Sequence, residues 1–148
     1  MAAPRAADTL TLLRALCGVL LAFRPSLTLL VVGVASDWLD GPLARRAGPS
    51  PHGARFDLEA DSILTLGAGI AAVRRGAPAV LLLAPLARYA VAAIRPSLTS
   101  DERRWDRFTG VAQMIVLALA IARVPLGWSV IPASAARAAA LAAQARAR

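Results

Sequence analysis

The sequence predicts an all-α fold: an integral-membrane bundle of six transmembrane helices forming one domain over residues 1–148. Three observations predict it. The residues are 57% hydrophobic, against roughly 45–50% for an average soluble domain, and the mean hydropathy is +0.58. A soluble chain of this length has too much outside relative to inside to hide so much apolar surface, whereas lipid can meet it directly. The apolar residues fall into six runs, and none of them shows the period-two alternation of a strand. In lipid a helix satisfies its own backbone hydrogen bonds, so runs of this kind read as helices.

The first run covers residues 10–23 and is broken by Arg24-Pro25-Ser26. It lacks the basic flank and cleavage site of a secretory signal, so it is expected to stay as a membrane helix. The second starts at Leu27 and continues into Asp37-Trp38-Leu39-Asp40. The third covers residues 56–73 and ends at Arg74-Arg75-Gly76, and the fourth covers 78–94 and ends at Arg95-Pro96. The fifth covers 108–122; the sixth, 126–143, is weaker because Pro132 and Arg137 interrupt it. Each approaches the roughly 20 residues that span hydrocarbon, and the shorter ones need tilt or polar flanks.

The formal net charge is +8, and every basic residue is Arg. The arginines are scattered between apolar runs without interleaved aromatics, which excludes a nucleic-acid-binding surface of the usual kind. A cytoplasmic N-terminus puts Arg5, Arg14, Arg45, Arg46, Arg55, Arg95, Arg103, Arg104, Arg107, Arg146 and Arg148 inside, with Arg24, Arg74, Arg75 and Arg123 outside. This predicts a protein of the cytoplasmic membrane with its polar face toward the cytoplasm, where anionic lipid or phosphate-bearing substrates are natural partners. Trp38, Trp105 and Trp128 suit the interfacial belts. The single Cys17 reads as a small core residue, and no disulfide or zinc site can be built from it.

Five acidic residues crowd the junction of the second and third runs: Asp37, Asp40, Asp57, Glu59 and Asp61. Carboxylates at membrane depth are costly and point to function. On a helix Asp37, Asp40, Gly41 and Ala44 share one face, and Asp57 and Asp61 stack four apart on the next. Glu59 points off that face and reads as solvated or paired with Arg55. The short joint Arg46 to His52 contains Gly48, Pro49 and Pro51, which suit a tight turn. The two helices are therefore expected to pack antiparallel as neighbours, with His52 an ordinary loop residue. Four converging carboxylates repel one another unless a cation sits among them. Hard oxygen ligands favour magnesium, manganese or calcium, and two magnesium ions would also bind a diphosphate. Gly41, Ala44 and Gly53 leave room for a planar base or a phosphate, and Arg45 can pair with phosphate oxygens through its planar fork.

The stretch Asp37-Trp38-Leu39-Asp40-Gly41-Pro42-Leu43-Ala44-Arg45, followed after seven residues by Gly53-Ala54-Arg55-Phe56-Asp57-Leu58-Glu59-Ala60-Asp61, resembles the signature of the CDP-alcohol phosphatidyltransferase family. That signature reads D-x-x-D-G-x-x-A-R, a spacer, then G-x-x-x-D-x-x-x-D. Every fixed position is matched, and the spacer is one residue shorter than is common. Asp8 to Arg14 and Arg107 to Gln113 are more weakly similar to phosphatidylglycerophosphate synthases, where Lys is usual at the position of Arg107. The resemblance implies a six-helical homodimer. It implies that Asp37, Asp40, Asp57 and Asp61 hold Mg2+ or Mn2+, as a pair of ions, and that Asp61 is also the general base. Gly41, Ala44, Arg45 and Gly53 would line the cytidine diphosphate site. An acceptor hydroxyl would attack the phosphorus nearer the lipid of a CDP-linked donor such as CDP-diacylglycerol, and CMP would leave. Such transfer needs in-line positioning and charge neutralisation more than covalent help.

Glycerol 3-phosphate is the expected acceptor, with inositol phosphate the nearest alternative. Arg88, inside the fourth run where an arginine is expensive, is the candidate for the acceptor's phosphate. Arg103, Arg104 and Arg107 alternate with Asp101, Glu102 and Asp106 and read as a solvated loop. Other classes predict other features. A metal or solute carrier should show broken helices or repeated halves. An inactive partner subunit has no need of Asp61, and a prenyl-diphosphate enzyme carries its aspartates on soluble helices.

Overall fold

The computed structural model describes residues 6–47, 53–94 and 100–124. The elements are α1 (Ala6–Phe23), α2 (Leu27–Ala47), α3 (Gly53–Arg74), a 3-10 turn (Ala79–Leu82), α4 (Leu83–Ile94) and α5 (Ser100–Ile121). Among the described residues there is no strand, so the all-α expectation holds there. The sixth run and the joint with His52 lie outside the described residues. No helix among the described residues is long and apolar enough to cross a membrane. The charged ends of the helices account for this. Asp37, Asp40, Arg45 and Arg46 lie within α2, and Arg55, Asp57, Glu59 and Asp61 within α3, so the uninterrupted apolar stretch is shorter than the helix.

Local chemistry explains the boundaries. Arg24-Pro25-Ser26 ends α1, and the Ser26 carbonyl accepts the Leu30 N–H at 3.2 Å to open α2. Gly76, at φ 97°, closes α3: its N–H donates to the Val73 carbonyl at 2.9 Å and the Ala77 N–H to the Ala72 carbonyl at 3.1 Å. That is a left-handed cap for which glycine carries no Cβ penalty. The fourth run, read as one helix from sequence, divides into a 3-10 turn and α4. Pro85 has no N–H to return to the Leu81 carbonyl, so a continuous α-helix cannot be hydrogen-bonded across that point.

α3 is the central helix and touches every other element. Leu64, Ala68, Ala71 and Ala72 on it are fully buried against Cys17 and Leu21 of α1, Leu30 of α2 and Leu117 and Ile121 of α5. Glycines set the closest approach. A Cβ added to Gly67 would lie 1.9 Å from the Gly18 carbonyl oxygen, and one on Gly18 would lie 2.7 Å from the Ile63 backbone. α1 and α3 thus cross backbone to backbone, which small residues permit. Arg74 and Arg75 bind that end of the bundle together, donating to the Ala22 and Pro25 carbonyls at 2.9 and 2.8 Å. α1 and α3 therefore run parallel, with α2 returning between their ends.

One sequence expectation needs correcting. α2 and α3 do not pack chiefly on each other. Among the described residues each meets α1 far more extensively than it meets the other. The glycine crossing brings α1 so close to α3 that α1 takes the place expected of α2.

Candidate active site

The inward stripe of α1 is Thr11, Arg14, Cys17, Gly18 and Leu21, all buried. The spacing of three and four residues is that of one helix face. Arg14 lies in the middle of this stripe with 0% exposure, and among the residues whose side chains are described it is the only charged one that is buried. Its guanidinium binds two acids from two other helices. Nη2 lies 3.0 Å from Oδ1 of Asp37 on α2, and Nη1 lies 2.5 Å from Oδ1 of Asp57 on α3. Both carboxylate side chains keep about half their surface exposed, 49% and 50%. The cation is therefore sealed inside while the acids open outward.

Asp61 stands one turn beyond Asp57 on α3 and is half-buried. Glu59, off that face, is exposed, as its spacing predicts. Two buried hydroxyls in this region turn back on their own helix and so satisfy themselves locally: Ser62 Oγ donates to the Leu58 carbonyl and Thr65 Oγ1 to the Asp61 carbonyl, each at 2.8 Å. Asp40, Gly41, Ala44 and Arg45 lie on the last turns of α2, Gly53 is the first residue of α3, and Arg88 lies on α4; their side chains fall outside the described residues. Among the described residues no group of three potential metal ligands is gathered. The structure thus brings together Asp37 and Asp57 from the predicted set, and joins them through a residue that sequence reasoning did not assign to the site.

Arg14 was legible in principle. An arginine inside an apolar run is expensive unless paired, the same logic that singles out Arg88. Arg14 lies inside α1. α5 also turns one polar side chain inward: Gln113 is 2% exposed, and among the described residues neither its Oε1 nor its Nε2 has a hydrogen-bond partner.

Beyond their contacts with Arg14, Asp37 and Asp57 each keep about half of the side-chain surface open. The oxygens gathered there are hard carboxylate donors, of the kind that suits magnesium or manganese rather than a soft metal.

A family model described as CDP-alcohol phosphatidyltransferase matches residues 5–144. No curated protein and no solved structure matches the chain.

Proposed function

The chain belongs to the CDP-alcohol phosphatidyltransferase family, and we propose that it transfers a phosphatidyl group from CDP-diacylglycerol to glycerol 3-phosphate, releasing CMP. Members of this family transfer a substituted phosphate group from a CDP-alcohol donor to an acceptor alcohol. The observation that carries the reading here is the meeting of Asp37 and Asp57, from opposite halves of the acidic motif, on one guanidinium.

In this reading Asp37, Asp40, Asp57 and Asp61 hold the divalent cations, Mg2+ or Mn2+. Bound there, the metal would neutralise charge on the diphosphate and its leaving group. Asp61 takes the proton from the acceptor hydroxyl as general base. Gly41, Ala44 and Gly53 let the cytidine diphosphate approach the backbone, and Arg45 forks onto its phosphate oxygens. Arg88 meets the phosphate of the acceptor. The protein works in the cytoplasmic membrane, as a homodimer, with this site facing the cytoplasm. The apolar side chains exposed on α1 and α2, among them Leu12, Leu16, Phe23, Val31 and Leu39, support the membrane setting, since soluble proteins seldom leave such contiguous surface bare.

The test is CMP release by the purified full-length protein, with CDP-diacylglycerol and a panel of alcohols in the presence of Mg2+ or Mn2+. Release is expected with glycerol 3-phosphate and absent in Asp61→Asn. Release only with an inositol phosphate replaces the acceptor; no release with any alcohol defeats the reading.

A further inference from the structure

A buried arginine is held by whatever surrounds it, and what holds Arg14 are two acids on different helices. Those helices, α2 and α3, meet each other only lightly, whereas both pack extensively on α1. The relation between Asp37 and Asp57 therefore runs through α1, where the Arg14 side chain contacts both. The glycine crossing fixes that side chain's base, because Gly18 lies one turn along from Arg14 and abuts the backbone of Ile63.

We propose that Arg14 is a positioning residue for the transfer: its guanidinium holds Asp37 and Asp57 side by side so that a divalent cation meets both carboxylates at once. This rests on the metal-dependent reading above. Three features support it. The two terminal nitrogens each take a different carboxylate, and a planar fork fixes the spacing of its two partners where an ammonium would act as a point charge. The positive charge of Arg14 relieves the repulsion between two acids that would otherwise splay apart. Finally, Arg14 is completely buried while both acids are half exposed, so it supports them from behind and leaves their outer surface open. Residues that orient metal ligands in this way typically change metal affinity by about 10–100-fold when replaced.

The experiment is Mn2+ binding to the full-length protein in detergent, after chelator treatment, followed by loss of the free Mn2+ electron paramagnetic resonance signal. Wild type, Arg14→Lys, Arg14→Gln and the control Arg74→Gln are compared well below their unfolding temperatures, with circular dichroism as the check on folding. Arg14→Gln is expected to bind at least about tenfold more weakly, Arg14→Lys to recover part of the loss, and Arg74→Gln to match wild type. A folded Arg14→Gln that binds Mn2+ as tightly as wild type, or more tightly, overturns the proposal. If Arg14→Gln does not fold, Arg14→Lys decides: affinity weakened about threefold or more sustains it, and unchanged affinity overturns it. Failure of wild type to bind Mn2+ at all would instead remove the metal-dependent reading on which the proposal rests.

Discussion

Taking an arginine fully out of water costs several kcal/mol, and Arg14 offsets this with ion pairs to Asp37 and Asp57. The pairing makes the stability of the fold depend on residues of the candidate site. Asp57→Asn leaves the guanidinium with one carboxylate and a weaker neutral partner. A loss of roughly 1–3 kcal/mol is expected, measured by denaturant unfolding; a change within experimental error would show that the Arg14–Asp57 contact does not carry the buried charge. The aspartates themselves were legible from sequence, because their spacing is a motif and their depth in an apolar chain is costly. Their common partner was harder to read. Nothing local in Leu10 to Cys17 says which helix lies opposite, and the charge of Arg14 alone fits a loop as well as a core.

At the scale of the helices, punctuation was readable and packing was not. Arg24-Pro25-Ser26 and Arg74-Arg75-Gly76 separate the elements where the sequence places them, and Cys17 is buried as expected. The split of the fourth run falls between Leu82 and Leu83, just ahead of Pro85, whose missing N–H disfavours a continuous helix there; the run's hydropathy concealed it. The crossing of α1 on α3 joins Gly18 to Gly67 across 49 positions, too far for any local pattern to signal. Gly67→Ala tests it. The added Cβ would sit 1.9 Å from the Gly18 carbonyl oxygen, and backbone cannot yield as a side-chain tip does. The helices must move apart, with an expected loss of about 1–3 kcal/mol and weakened metal binding as Arg14 shifts. Unfolding at the wild-type midpoint would mean that the crossing is looser than described.

For the whole molecule, composition and structure pull against each other in an informative way. The chain is 57% hydrophobic and leaves large apolar side chains exposed on α1, α2, α4 and α5, yet no described helix is by itself long and apolar enough to cross a membrane. Acids and arginines occupy the helix ends that an ordinary span would fill with apolar residues. The proposed membrane setting, with the polar site at the water boundary, accommodates this form. The expected outcome is that the protein stays in the membrane pellet after an alkaline carbonate wash; release to the supernatant would contradict that setting. The family and the acidic constellation were legible in Asp37 to Asp61. The acceptor was not, because Arg88 and the other residues expected to meet it belong to no comparably specific pattern.

In the proposed reaction two carboxylates from separate helices act on one divalent cation. Its most direct measurement is CMP release from CDP-diacylglycerol by chelator-treated protein, titrated with Mn2+, in wild type, Asp37→Asn and Asp57→Asn. Wild type should be silent without metal and recover on addition, and each variant should need at least about tenfold more Mn2+ for half its maximal rate. Wild-type release at full rate without any divalent cation, or variants that follow the wild-type titration, would contradict it.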